Sequence, residues 1–433
     1  MDEATLRDLL ERAAAAEPAM GPVARDSLQA GLRLRRRRRA YSTVACAAAV
    51  AVIGALVPAA SGLLGHARTA SAGGHRGAPA TTLFVTGNRW VTPINIATGT
   101  PETPIRAPQL SGPVQAAITP NGKTAYIEYG PHSVKVVAVA TDTTEKVIRV
   151  GPEPDAIAIT PNGRTAYVAA GDGVTPINIA TNTAGKPIKI GTAKKPSAPA
   201  AIAITPNGRT AYVVDIGLDA VTPINTATDT AGKPIKVGDN PDAIAITPNG
   251  ETAYVANTGY DTVTPINTAT DTPGKPIKLQ REASPNSIAI APDGQTAYVG
   301  SCVSDFVTAI STATNTVSTP IRIGRGNPAQ DCPDAIAFTP DGQTAYVTNG
   351  DRKYLTLIST ATNGVEKRIY LGKSSGGIVI SPNGRTAYVA TGDHTVTPVA
   401  TVTNTPGKPI NVQHGPCGMA VTWSVYYTCP GYI

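Results

Sequence analysis

Asp242-Ala-Ile-Ala-Ile-Thr247, Thr252-Ala-Tyr-Val-Ala256, Val263-Thr-Pro-Ile266 and Pro276-Ile-Lys278 are four short β-like runs inside one stretch of fewer than forty residues. The same quartet returns along the chain. Its marker, Thr-Ala-Tyr, begins at Thr124, Thr165, Thr210, Thr252, Thr296, Thr344 and Thr386, at spacings of 41 to 48 residues. Seven in-phase copies exclude coincidence, and four strands at this period make a propeller blade. The expected fold is therefore all-β, a β-propeller of four-stranded blades. Sparse aromatics (5%) with 42 glycines and 38 prolines suit many short strands and tight turns better than long helices.

The first run alternates Ala with Ile, as in Ala156-Ile157-Ala158-Ile159. One face is then small and the other branched, which suits the innermost strand, where blades crowd together. Pro161-Asn162-Gly163, Pro248-Asn249-Gly250 and Pro340-Asp341-Gly342 follow it. Proline presets φ and glycine takes the φ > 0 site, so the first and second runs form a tight hairpin. The last run carries Arg106, Arg149, Lys189, Lys236, Lys278 or Arg322, with Gly-Lys-Pro ahead of it at Lys186, Lys233, Lys275 and Lys408. Lysine and proline guard an open sheet edge, so this run is outermost. A surface for an anionic polymer is the alternative reading of those lysines. Proline within the third run (Pro93, Pro176, Pro223, Pro265, Pro398) removes a ladder donor, and the expectation there is a bulge or an early end to pairing.

Leu83-Phe84-Val85, Val91-Thr-Pro-Ile94 and Pro104-Ile-Arg106 match the second, third and fourth runs with no first run before them. Met419-Ala-Val-Thr422 matches a first run with nothing complete after it. Together they supply one blade, closing the ring at eight; seven blades result if they do not pair.

The repeat resembles the YVTN β-propeller repeat of surface-layer-like and cell-surface proteins. Tyr346-Val347-Thr348-Asn349 carries the namesake motif, Tyr254-Val255-Ala256-Asn257 nearly so, and Asn225-Thr-Ala-Thr-Asp-Thr230 is similar to the family's turn after the third strand. The likeness spans about residues 82–422. Most copies lack the final Asn, and the third run has Pro where the family has a β-branched residue. The resemblance implies an extracytoplasmic propeller and leaves the ligand open.

Ahead of the repeats the chain changes character. Residues 1–39 hold a short amphipathic helix, Asp2 to Glu17, with Leu6, Leu9, Leu10 and Ala13 on one face, and end in the basic run Arg35 to Arg39. Residues 40–65 carry no formal charge and are long enough to cross a bilayer as a transmembrane helix. The flanking arginines predict a cytoplasmic N-terminus, so the protein is expected to be single-pass in the cell membrane with its propeller outside. Residues 66–81 read as a flexible linker and residues 82–433 as the propeller. The rival is a signal peptide cleaved near Ala70-Ser71-Ala72, giving a secreted protein, though the apolar stretch is long for one. The overall charge of +7 is concentrated here: residues 1–80 hold 11 of the 37 basic and 6 of the 30 acidic residues, leaving the remainder at +2. A nearly neutral body argues against nucleic acid as a partner.

Cys46 lies in the apolar segment and is expected to be inert. Four other cysteines permit three pairings, of which Cys302–Cys332 and Cys417–Cys429 are the most economical disulfides in an exported protein. No Cys-x-x-Cys or close histidine pair signals zinc, and no residue pattern requires a cofactor.

Asp155, Asp242, Asn286 and Asp334 precede equivalent first runs and are expected to ring one mouth of the central channel. They are candidates to hold a cation or polar ligand, although strand-initiating Asp commonly caps nearby backbone. Asp172, Asp219, Asp261, Asp305 and Asp393 recur before third runs, where turn chemistry accounts for them. His132, His394 and His414 fall in loops of one face, the latter two in the last blade. A metal-assisted propeller hydrolase or lyase of the lactonase type would use such groups. No Ser–His–Asp, paired-Glu or phosphate-loop pattern is present. The leading expectation is thus a non-enzymatic binding or scaffold ring for a protein, glycan or small-molecule ligand outside the cell; the alternatives are that enzyme or a sensor signalling to a cytoplasmic partner.

Overall fold

The structure, a computed structural model, describes residues 82–427 apart from 88–89, 107–114, 142, 172, 192–196, 282, 302–303, 325–332, 351–352, 414 and 422–423. The N-terminal helix, the transmembrane segment, the linker, Cys46, Asp172, Cys302, Cys332, His414 and Cys429 lie outside the described residues, as does the side chain of Cys417. Both expected disulfides therefore lie outside them too.

The described residues hold no helix; they form eight antiparallel sheets. Seven are contiguous in sequence, and we number the blades from the N-terminus. Blade 3 shows the pattern: Pro154–Ile159, Thr165–Ala170, Gly173–Asn178, then an outer strand in two pieces, Thr183–Ala184 and Ile188–Lys189. Blade 1 joins Thr82–Gly87, Trp90–Asn95 and the outer pieces Thr100–Pro101 and Ile105–Arg106 to the inner strand Pro416–Val421. Phe84 pairs with Ala420 and Val85 with Met419, so the two ends of the repeat region close the ring at eight blades. The tail adds a strand not foreseen from the repeat. Ser424–Tyr427 pairs with the free edge of Pro416–Val421 and lies against Ser375–Ile380 of blade 8.

First strands pack in order around the axis, from Pro154–Ile159 through Pro199–Ile204 to Pro416–Val421, Ala116–Ile118 and back. Their Ala/Ile alternation explains the spacing. Ala156, Ala158, Tyr167 and Ala169 of blade 3 share one buried cluster with Ile202, Ile204, Ala211 and Val213 of blade 4. The small face of each inner strand receives the branched face of the next, which suits the taper toward the axis.

The outer strand splits wherever it contains proline and runs unbroken where it does not. Pro187, Pro234, Pro276, Pro320 and Pro409 accompany two-piece strands, whereas Thr143–Arg149 and Gly364–Tyr370 are continuous with one bulge each. The third strand passes through its own proline without a break: Tyr167 pairs with Pro176 in an uninterrupted ladder. No bulge forms on this side; toward the outer strand, pairing stops at Thr175 and Pro176, so the interruption expected of the proline falls there. The carbonyl of Pro176 points outward to accept from Gly185 N at 2.7 Å. Its missing N–H therefore faces the gap in the outer strand, where no acceptor waits. A Cβ on Gly185 would meet Pro176 Cγ at 3.1 Å, so the Gly of Gly-Lys-Pro is there for close approach.

The first-to-second turns behave as expected. Gly163 adopts φ 67° and donates to the Thr160 carbonyl, while Asn162 Oδ1 accepts from Arg164 N at 3.0 Å and from Thr160 Oγ1 at 2.8 Å. These turns also stack on one another: positions for a Cβ on Gly163, Gly208, Gly250 and Gly294 lie 3.1–3.4 Å from Pro120, Pro161, Pro206 and Pro248 of the preceding blade.

The tyrosine of Thr-Ala-Tyr is a latch between blades. Tyr167 Oη donates to Asp229 Oδ1 at 2.6 Å, Tyr212 to Asp271 Oδ1 at 2.6 Å, Tyr254 to Asn315 Oδ1 at 2.7 Å and Tyr126 to Asn182 Oδ1 at 2.5 Å. Tyr298 and Tyr346 reach Asn363 and Asn404 likewise. Each acceptor sits in the next blade's third-to-fourth turn with φ between 51° and 55°, a conformation Asn and Asp tolerate best. At the seam the pattern lapses. Gly99 takes the turn position in blade 1, and Tyr388 Oη bonds the Ile96 carbonyl at 3.3 Å instead.

Candidate functional site

Antiparallel order puts the first-to-second and third-to-fourth turns on one face of the ring. The second-to-third loops and the connections between blades lie on the other. On the first face every copy has the same length: Ile159 to Thr165, Ile204 to Thr210 and Ile246 to Thr252 repeat without insertion, as do Asn178 to Thr183 and Asn225 to Thr230. On the second face the connections run through residues 190–198, 279–284 and 323–332 in some places and only 150–153, 237–240, 371–374 and 412–415 in others. Insertions confined to one face of a repeat protein mark the surface where chemistry is free to vary.

Asp155, Asp242, Asn286 and Asp334 all stand on that variable face, and the structure gives them a shared geometry. Each is the second residue of its inner strand, Pro154–Ile159, Pro241–Ile246, Pro285–Ile290 and Pro333–Phe338. They are not loop residues. In blade 5 Pro241 pairs with Asn257 and Ala243 with Ala256, so Asp242 is skipped by the ladder; Asp155 and Asn286 are skipped in the same way. Asp334 falls within a wider shift, between Pro333 and Ile336. A bulge frees a side chain from the pleat and re-aims it, here at the channel end of the innermost strand. Ala200, Gly376 and Cys417 hold the same position in blades 4, 8 and 1, so the ring is chemically uneven.

Burial separates the four. Asn286 and Asp334 are buried, and Asp155 and Asp242 are half-buried. Desolvation alone pushes the Asp242 carboxyl up to about 7, so its charge changes near neutrality. Gly350 lets Asp334 come close, since a Cβ there would lie 3.1 Å from Asp334 Oδ2.

One acidic residue of this face was missed. Glu128, the fifth residue of Thr124–Glu128, is 2% exposed; Gln115 N donates to its Oε2 at 3.0 Å, and its Oε1 has no hydrogen-bond partner. Burial holds its carboxyl well above the usual range, and the charge of Asp155 on the next blade adds to this, against the Gln115 N–H. The sequence did carry a signal. The equivalent residues are Ala169, Val214, Ala256, Gly300, Thr348 and Ala390, none of them charged.

The remaining polar groups of this face organise loops. Asp215 accepts from Ala198 N at 2.9 Å, from Leu218 N at 3.0 Å and from the Ser197 hydroxyl. Asn349, the last residue of the Tyr-Val-Thr-Asn copy, donates through Nδ2 to Thr356 Oγ1 at 3.1 Å and ties second strand to third; Asn257 does the same to Thr264 at 2.9 Å. Asp219, Asp261 and Asp305 adopt φ of 49–53° before their third strands, as turn chemistry requires.

His394 is not brought to the inner ring. It is exposed, at the second-to-third turn of blade 8, with φ 59° directly after Asp393 at 57°. Its carbonyl accepts from Val412 N, as those of Asp219, Asp261 and Asp305 accept from Val237, Leu279 and Ile323. His394 therefore fills the slot expected of Asp393, which instead pairs with Lys373 Nζ at 3.3 Å. His132 is exposed at the same turn of blade 2. Among the described residues no group of three or more His, Cys, Asp or Glu side chains is arranged to hold a metal ion.

Fold and site together define an eight-bladed β-propeller with one constant and one variable face. No protein-family model and no curated protein matches the chain. Solved structures do. Dihydro-heme d1 dehydrogenase NirN, in complex with DHE, is similar over 80% of this chain and 76% of its own, with a TM-score of 0.69 and 15% identity. Hydrazine synthase of Kuenenia stuttgartiensis is similar over 66% of this chain and 94% of its own (TM-score 0.53, 23% identity). A functionally unknown protein from Desulfotomaculum acetoxidans is similar over 66% and 95% (TM-score 0.52, 17% identity). At these identities the likeness is one of fold.

Proposed function

We propose that this protein is a non-enzymatic binding ring of the YVTN-repeat type, held outside the cell by the apolar segment 40–65, which takes its ligand at the bulged mouth of the channel. One observation carries the reading: the blades are interchangeable on one face and individual on the other. Duplicated blades begin alike, and the constant face has stayed so because its turns pack against each other. Divergence in length and in the bulge residue is concentrated on the other face, where blades meet through individual contacts such as Thr258 Oγ1 to the Pro285 carbonyl at 3.0 Å and Asn349 N to Ser375 Oγ at 3.2 Å. Asp242, Asp155, Asn286 and Asp334 offer acceptors of graded charge, which suits a ligand presenting a cationic or hydrogen-bond-donating group. Dissimilar residues around one mouth also favour a ligand without eightfold symmetry.

Two measurements test this. A reporter that matures only outside the cytoplasm, fused after Ile433, is expected to be active, and activity only in cytoplasmic fusions would refute the export. Affinity capture from the cell envelope with the full chain should lose its specific partner with Asp155→Asn/Asp242→Asn/Asp334→Asn and keep it with Asn162→Asp/Asn207→Asp on the constant face. Equal loss from both variants would sink the assignment of the ligand face.

A further inference from the structure

The outer rim carries a charge pattern that edge protection does not need. In blades 3, 4 and 5 the outer runs read Thr183-Ala-Gly-Lys-Pro-Ile-Lys189, Thr230-Ala-Gly-Lys-Pro-Ile-Lys236 and Thr272-Pro-Gly-Lys-Pro-Ile-Lys278. Each holds two lysines; the nearest carboxylates, Asp229 and Asp271, directly precede the second and third runs and accept from Tyr167 and Tyr212. All six lysines (Lys186, Lys189, Lys233, Lys236, Lys275, Lys278) are exposed, and none of their ammonium groups makes a hydrogen bond or ion pair within the described residues. The blades also bring them into line. Ile188–Lys189 lies against Thr230–Ala231 of the next blade, and Ile235–Lys236 lies against Thr272–Pro273 of the one after. The lysine-bearing outer runs of the three blades are thus consecutive along the rim, with the end of each beside the start of the next.

Elsewhere the rim manages without this. Blade 6 protects its edge with Pro320 and no lysine, and blade 1 carries Glu102 in its outer run. In blade 7 Lys367 and Arg368 are spent on backbone carbonyls, of Asn404, Ile323 and Arg322. Proline and the split strand already block edge pairing, so six unpaired ammonium groups on consecutive blades are surplus to that purpose. Held apart by a rigid frame, they repel one another, and a linear polyanion relieves the repulsion while releasing its own counterions.

We propose that the rim of blades 3 to 5 binds a linear phosphodiester polymer without bases, displayed outside the membrane. No aromatic side chain stands in the three outer runs, so the stacking platform by which proteins hold single-stranded nucleic acid is missing. An anionic membrane surface is the competing occupant, and the vesicle arm of the test below separates it. The extracytoplasmic setting rests on the anchored reading; the row of lysines does not.

The test uses the full chain in detergent and three probes: inorganic polyphosphate, phosphatidylglycerol vesicles and an oligothymidylate of matched charge. Polyphosphate is expected to bind, weakening at least about tenfold between 50 and 200 mM salt. Lys186→Gln/Lys233→Gln/Lys275→Gln should lower that affinity about tenfold or more and flatten the salt slope, with thermal midpoint unchanged. The charge-matched control Arg106→Gln/Lys367→Gln/Lys408→Gln should change affinity less than about threefold. Equal loss in the control, oligothymidylate binding as tight as polyphosphate, or vesicle binding that the triple variant abolishes would each overturn the proposal. The reporter fusion scores export separately, so failure of the one reading is distinguishable from failure of the other.

Discussion

Tyr212→Phe removes one oxygen and nothing else from the interface between blades 4 and 5. The ring of Tyr212 is fully buried and keeps its packing, so no cavity forms. What is lost is the donor to Asp271 Oδ1 at 2.6 Å and to the Thr268 carbonyl at 3.2 Å. A hydrogen bond to a charged acceptor contributes about 1.5–3 kcal/mol, and Asp271 is exposed and regains water, so the lower end applies, about 1.5 kcal/mol. Tyr388→Phe provides the internal control. Its one hydrogen-bond partner among the described residues is the neutral Ile96 carbonyl at 3.3 Å, and about 0.5 kcal/mol is expected. Urea unfolding read by circular dichroism measures both as midpoint shifts at constant slope. Asp271→Gly places at φ 53° the residue blade 1 already uses as Gly99, so a double-mutant cycle with Tyr212→Phe isolates the bond; about 1 kcal/mol of coupling is expected. The alkaline limb gives a second readout. Burial, and then Asp271, raise the Tyr212 hydroxyl above its usual value, and burial first of all pushes Tyr126, Tyr254, Tyr298 and Tyr346 up to about 12. A folded value above the unfolded one of about 10 leaves the latch intact below pH 10 and removes its stability as pH climbs toward 12 and beyond. Equal costs for Tyr212→Phe and Tyr388→Phe, or no coupling to Asp271, would refute the latch.

Other outcomes follow from the same geometry. Asp242 has its folded value raised, so its contribution is present below about pH 4 and lost as pH passes 7; Asp242→Asn should match wild type at pH 4 and gain at most about 4 kcal/mol at pH 8, read from urea midpoints. Gly238→Ala sets a methyl 2.7 Å from Asn257 Cβ and Cγ and should cost about 1–3 kcal/mol, against little effect for Gly99→Ala beyond the strain of its φ of 67°, where the nearest atom is 4.0 Å away. Ending the chain after His414 deletes the inner strand of blade 1 and should abolish cooperative melting. Ending it after Val421 keeps that strand while removing Ser424–Tyr427 with the rest of the tail, and should shift the midpoint by a few degrees.

Much of the ring was legible because each blade repeats the same local instructions. The Ala/Ile alternation of Ala156–Ile159 placed that run at the axis, and the structure shows why, small face against branched face. The closing pair was legible from two incomplete copies. Proline in the third strand was half legible: pairing is interrupted at Pro176, but sequence does not show toward which neighbour its missing donor points. The bulge at Asp242 was invisible for a related reason: a one-residue shift of register leaves the hydrophobic alternation on either side unchanged. Glu128 went unnoticed among apolar equivalents, although a charged residue at a position otherwise filled by Ala, Val, Gly and Thr is the kind of exception that a repeat protein exposes from within. His394 slipped one place because Thr391-Gly-Asp-His-Thr395 spends two left-handed residues where its counterparts spend one.

Those exceptions are informative because the scaffold holds the rest constant. Tyr167, Tyr212 and Tyr254 each need an Asn or Asp in the next blade's turn, and each turn glycine needs a proline on the preceding blade. Every constraint that crosses from blade to blade through these contacts lands on one face. A residue there changes only if its neighbour changes with it, whereas the bulge position on the opposite face is skipped by the backbone ladder. On the proposed reading, recognition falls on the face that carries none of these latches. Substituting Asp155 or Asp334 should alter what the protein holds while leaving the tyrosine latches, and the alkaline limb they set, as they are.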